Sequence, residues 1–277
     1  MGTQLLHIFR NTPLGRETLL QSIYFCKLIG ASIVMYIPEF TKFLMYFDND
    51  VVQIDLDDSY LTSHQTAREH AEALVRENAG KVRFLEPKNF TATTLPDIPA
   101  NFDFMCCPRS ISDLSSKIGL GYIGPRVRRI VRSARFPVLM TSPSFKSWNS
   151  IAVFFGGSAN AVNALKLGFR ISRLSNKPLH VYTHLERGSR DRLEAIIKEE
   201  KLDADMDTYA ENWTVFDSGY FEENLYNVKH DALLILGAFG HGLIRNIVFG
   251  SKMEKIQSIM PNNMLVVGPK YTAKLEP

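Results

Sequence analysis

Leu5-Leu-His-Ile-Phe9 and Ile151-Ala-Val-Phe-Phe155 are two short apolar runs 146 residues apart, and the same pattern follows each of them. After the first, Leu19, Ile23, Cys26 and Ile29 fall at helical spacing and lead into Ile33-Val-Met-Tyr-Ile37. After the second, Ala164, Leu167, Ile171 and Leu174 do the same and lead into Leu179-His-Val-Tyr-Thr183. Continuous apolar runs of this length, separated by a helical period, predict strands buried on both faces and joined by crossover helices. The chain contains one plan twice.

The ends of the two halves agree as well. Phe104-Met-Cys-Cys107 and Ala232-Leu-Leu-Ile-Leu236 are each followed by a polar, glycine-containing loop, a helix and a last strand, Pro137-Val-Leu-Met140 or Met264-Leu-Val-Val267. Strand-helix alternation makes a parallel sheet with helices on both faces. The expected class is α/β: two tandem Rossmann-like domains, each an open, mostly parallel five-stranded sheet. A chain of 277 residues accommodates two such domains, placed here at 1–142 and 143–277, with Thr141 to Ser150 as linker.

The halves differ in two places. Before its second helix (Leu61 to Ala79) the first half carries about 20 extra residues, Glu39 to Tyr60. They begin with Phe40, Phe43, Tyr46 and Phe47 and turn acidic at Asp48, Asp50, Asp55, Asp57 and Asp58. Exposed, the aromatics would make a partner surface. Buried, they would cover the sheet where this half lacks a third helix, since Pro96 and Pro99 interrupt that stretch. The second half keeps a helix there, Tyr220 to Lys229. The aspartates do not have the spacing of a calcium loop. The five arginines from Arg126 to Arg135 alternate with Val127, Ile130, Val131 and Ala134, which predicts a solvated helix face rather than a nucleic-acid patch.

Bulk properties exclude several classes. A net charge of +3 gives no strong field toward nucleic acid or anionic membrane. No apolar run reaches membrane-spanning length, and the first residues lack a basic n-region and cleavage site. Cys26, Cys106 and Cys107 lie in apolar surroundings, which fits reduced buried thiols in a cytoplasmic protein.

The chemistry-bearing stretch is Gly237-Ala-Phe-Gly240-His-Gly-Leu-Ile-Arg-Asn-Ile-Val-Phe-Gly250-Ser251, directly after a buried strand. Glycines let the backbone approach an anion without a Cβ in the way, and free N–H groups at a helix N-terminus bind phosphate. The carboxyl edge of a parallel sheet is where open α/β folds take ligands. The spacing Gly-x2-Gly-x9-Gly-Ser resembles the ATP-binding motif of universal stress proteins, an adenine-nucleotide hydrolase-like fold, and the resemblance extends over the order of elements in both halves. It implies a nucleotide-binding stress-response protein holding ATP, ADP or AMP, with Mg2+ possible. Gly237, Gly240, His241, Gly250, Ser251 and Lys252 would hold phosphates and ribose, and Gly156, Gly157 and Thr183 at the first two strand tips would hold the base. Where the family has an aspartate at the first strand tip, this chain has Gly156. His241 is read either as a phosphate contact when protonated or as a surface histidine.

Aligned on its last strand, the first half has Ile111, Leu114, Gly124 and Pro125 at the motif positions, so it is expected not to bind nucleotide in the family manner. The resemblance also implies that the two halves pair as an internal pseudo-dimer near Val138 to Met140 and Leu265 to Val267, with homodimers a further possibility. No nucleophile–base pair, metal-ligand spacing or Walker motif is present. A regulatory binding protein is the leading expectation, against a slow ATP-hydrolysing enzyme or a scaffold without ligand.

Overall fold

The computed structural model describes residues 2–48, 50–56, 63–78, 80–87, 95–109, 123–185, 189–239 and 260–273. The chain divides into two compact units, Met1–Ser147 and Trp148–Pro277.

Unit 1 opens with β1 (Gln4–Ile8), helix α1 (Pro13–Ile29) and β2 (Ser32–Tyr36). Thr12 caps α1 by accepting the Gly15 N–H at 3.0 Å, Pro13 starts the helix where a missing N–H costs nothing, and Gly30 ends it at φ 68°. The extra segment forms β3 (Lys42–Phe47) and β4 (Asp50–Asp55). Then come α2 (His64–Glu77), β5 (Val82–Phe84), β6 (Asp97–Pro99), β7 (Phe104–Pro108), α3 (Pro125–Ser133) and β8 (Val138–Thr141). The main sheet is parallel in the order β8-β7-β1-β2-β5, and β4-β3-β6 forms a separate small sheet. Leu5, Leu6, Met105 and Cys106 are completely buried in the middle of the main sheet. All three cysteines are free and buried, and burial pushes the Cys106 thiol up to about 12.

Unit 2 repeats the plan with β9 (Ser150–Phe154), α4 (Ala159–Ser175) and β10 (Leu179–His184). It continues with α5 (Arg190–Glu199), α6 (Asp203–Tyr209), β11 (Ala210–Phe216), the short helix α7 (Phe221–Asn224), β12 (Ala232–Gly237) and β13 (Met264–Val267). Its strand order is β11-β10-β9-β12-β13, parallel throughout. The repeat read in the sequence holds to the residue: α1 and α4 have the same length, and Leu5 pairs Ile33 as Ile151 pairs Leu179. The helix expected from Tyr220 to Lys229 is shorter. After α7, residues Leu225–Asn227 tighten to a 3-10 turn and Val228 is extended.

The insertion resolves both readings of its aromatics. Strand alternation sends Phe43, Met45 and Phe47 inward, with Phe43 edge-on to Tyr36 at 5.1 Å and Phe47 against Phe136 at 6.2 Å. Phe40 and Tyr46 stay exposed. The arginines of α3 are not simply solvated, contrary to the pattern-based expectation. In α3, Arg129 pairs with Asp50 at 2.6 Å and Arg126 with Asp55, and Ser133 donates to Asp50; just past the helix, Arg135 pairs with Asp48 at 2.6 Å. A helical period shows which face is polar but not what lies against it.

The bonds from Arg129 and Ser133 hold the Asp50 carboxyl down at about 2. Because its folded value lies below the ordinary 3.8, its contribution is full above 3.8 and disappears as pH falls toward 2. Asp50→Asn is expected to cost about 1 kcal/mol at neutral pH, less in high salt, and to flatten the loss of stability across that acid window. Urea unfolding at neutral and acid pH measures both effects.

Candidate functional site

In unit 2, β9 lies between β10 and β12. Its crossover through α4 runs toward β10, whereas β12 continues the other way to β13. The chain therefore splits apart beyond the carboxyl ends of β9 and β12, and such a switch point leaves a crevice. Gly156 and Gly157 follow β9 into it. Gly156 is exposed and brings no acid to the strand tip. Gly157 sits at φ 71°, a conformation that glycine adopts without strain. Ser158 then caps α4 by accepting the Ala161 N–H at 3.2 Å.

Gly237, the last residue of β12, is required by packing. A Cβ there would stand 2.5 Å from the carbonyl carbon and oxygen of Asn160 and 2.7 Å from the Ala161 nitrogen. The strand end thus lies directly against the first turn of α4. Asn160 strengthens that contact by donating its side-chain N–H to the Ala238 carbonyl. The next residue, Phe239, is held at φ 59°, an uncommon conformation for a bulky side chain, where the chain enters the glycine-spaced segment. Gly240, His241, Gly250, Ser251 and Lys252 lie outside the described residues.

Thr183 is placed as a support. It is buried, donates to the Phe155 carbonyl at 2.7 Å and accepts from the Trp213 indole at 3.0 Å. Its hydroxyl ties β10 to the end of β9 and to the middle of β11. Sequence reading missed Asn160 and Trp213, and neither carries a motif signal, because each acts through a partner distant in the chain. Beside them, His184 at the tip of β10 is hydrogen-bonded to Asn224 at 3.1 Å and lies edge-on to Phe221. Among the described residues no three His, Cys, Asp or Glu side chains gather as a metal site.

Strand register corrects the alignment of the first half. Leu6 pairs Met105 as Ala152 pairs Leu234, which makes Pro108, rather than Ile111, the counterpart of Gly237. The loop-helix connection from β7 to β8 is three residues longer than that from β12 to β13, so aligning on the last strand displaces its beginning. Ile111 and Leu114 lie outside the described residues. Gly124 is the N-cap residue of α3 at an ordinary φ of −59°, followed by Pro125.

No protein-family model matches the chain. A universal stress protein of Synechocystis is 24% identical over 186 residues, an alignment spanning 63% of this chain and 61% of that relative. A universal stress protein structure from Archaeoglobus fulgidus covers 96% of both chains with a TM-score of 0.59 and 16% identity. A putative universal stress protein structure from Pseudomonas aeruginosa covers 97% of this chain and 94% of its own, with a TM-score of 0.56 and 13% identity. The chain has the fold of these solved universal stress proteins. Its two-unit plan is matched over nearly the full length by these solved universal stress protein folds, and no helix among the described residues is long and apolar enough to cross a membrane.

Gly237→Ala drives a methyl into the backbone of α4. It is expected to lower stability by about 2 kcal/mol, read from the urea midpoint. A variant as stable as wild type would show that the first turn of α4 yields instead.

Proposed function

We propose that unit 2 binds ATP, or ADP or AMP, and that the protein acts through ligand-dependent conformation or association rather than turnover. The observation carrying this reading is the coincidence of the β9/β12 switch point with the Gly-x2-Gly-x9-Gly-Ser spacing that begins at Gly237. In this reading Gly240, His241, Gly250, Ser251 and Lys252 receive the phosphates, and the base and ribose lie toward Gly156 and Gly157. With Gly156 in place of an acid, the ribose hydroxyls gain no charged acceptor there, so the phosphates carry most of the affinity. Thr183 serves the site by fixing the β9 and β10 tips rather than by touching ligand.

Mg2+ would arrive with the phosphates and keep most of its water, since it binds through few carboxylates and substrate oxygens. Hydrolysis needs a positioned water and a group to orient it. The described residues around the switch point offer a capped helix, glycines and aromatic rings, which suit binding.

Calorimetric titration with ATP tests the proposal. Gly250→Val should abolish binding while urea unfolding stays close to wild type, because the Cβ and its branches block backbone approach to phosphate. Equal affinity in wild type and variant at matched stability would end this reading.

A further inference from the structure

The two units also differ inside the core. In unit 1, His7 lies near the centre of the sheet on β1, fully buried, with Met35 of β2 and Cys106 of β7 as its register partners. Its Nδ1 is 2.8 Å from Ser22 Oγ of α1, the helix that covers this face. Ser22 also hydrogen-bonds the Cys106 thiol, which approaches the Thr18 carbonyl at 4.0 Å. Thr18 Oγ1 in turn meets Thr141 Oγ1 of β8 at 3.2 Å. A buried polar cluster therefore joins α1 to β1, β7 and β8.

Unit 2 is apolar at every equivalent position. The 146-residue offset places Val153, Ala164 and Gly168 where unit 1 has His7, Thr18 and Ser22. Strand register sets Ile235 against Val153 as Cys106 is set against His7, and it puts Val267 at the position of Thr141. Where His7 bonds Ser22, unit 2 has a close apolar contact: a Cβ on Gly168 would stand 2.5 Å from Val153 Cγ2. The same helix is thus seated on the same strand in two ways, and only one of them contains a titrating group.

A neutral imidazole suits this place and an imidazolium does not. Nε2 is buried with no hydrogen-bond partner among the described residues, so a second ring proton would find no acceptor. Nor is an opposite charge at hand. The thiols of Cys106 on β7 and Cys26 on α1 are kept protonated by burial. Tyr36 of β2 alternates to the face opposite Met35 and packs on Phe43. The charged residues of α1 are engaged elsewhere: Arg16 with Asn11, Glu17 with the Phe145 N–H, and Lys27 with the Asn78 carbonyl. Burial therefore brings His7 from 6.5 down to about 3. Since the folded value lies below the unfolded one, stability is full above 6.5 and falls as pH drops toward 3, because unfolding takes up a proton. Within that window the folding equilibrium constant decreases by up to about tenfold per pH unit.

We propose that unit 1 is an acid-sensitive module in which protonation of His7 unseats α1 from β1 and β7, while unit 2 keeps its packing. The Ser22 bridge holds the neutral ring, so unit 1 is closed at neutral pH and opens in mild acid. The device belongs to unit 1 and does not depend on nucleotide binding by unit 2.

The full chain carries its own reporters. Cys26, Cys106 and Cys107 are free and buried in unit 1, and both tryptophans, Trp148 and Trp213, lie in unit 2. Thiol labelling by dithiodipyridine, in urea below the unfolding transition, is compared with labelling of the unfolded chain at the same pH, and the ratio of rates gives the protection. From about pH 7 to about pH 5, wild-type protection should fall about tenfold or more while tryptophan fluorescence stays unchanged. His7→Val combined with Ser22→Gly, which installs the pair of unit 2, should hold protection constant over that range. Circular dichroism establishes folding; should the double variant unfold, His7→Gln keeps a polar partner for Ser22 without a titrating ring, with constant protection again expected. Wild-type protection that does not change with pH overturns the proposal. So does an equal fall in a folded His7 variant, or a tryptophan change that accompanies the loss of protection. Because ATP binding is read separately through Gly250→Val, the two proposals fail independently.

Discussion

Each unit depends on one strand buried on both faces and hydrogen-bonded on both edges. β1 pairs with β2 and β7, and β9 pairs with β10 and β12, all in parallel. A strand so placed satisfies its backbone only through its neighbours, so its side chains are apolar almost without interruption. Its carboxyl end is also where the chain departs in two directions. The constraint that makes the core therefore makes the crevice.

Around this shared frame, the units diverge where side chains leave the core. Unit 2 presents glycines at its crevice, one of them dictated by the close passage of α4 across β12. Unit 1 adds a β-hairpin whose aspartates meet Arg126 and Arg129 of α3 and Arg135 just past it. Individually such exposed ion pairs contribute little, but as a row along α3 and the turn after it they align the hairpin while Phe43, Met45 and Phe47 supply the burial. Among the described residues, unit 1 adds a small sheet that is seated by burial and aligned by charge.

The repeat was legible because core strands and amphipathic helices impose their periods directly on the sequence, and the 146-residue offset survives in α1 and α4 without a gap. The hairpin was half legible: its aromatics and aspartates were conspicuous, yet nothing local says that Asp50 meets Arg129, 79 residues away. Equivalence of the two crevices was misread at Ile111 because a loop three residues longer hides in an ungapped alignment, and strand register exposes it.

Thus the sequence alone determined the α/β class, the duplication and the glycine spacing from Gly237, all of which follow from local period and spacing. Only tertiary structure decided that Gly237 is required by Asn160, that Thr183 is occupied by Phe155 and Trp213, and that Pro108 rather than Ile111 is the counterpart of Gly237. These are contacts between residues far apart in the chain. Their positions are set by register and crossover, which no single segment encodes.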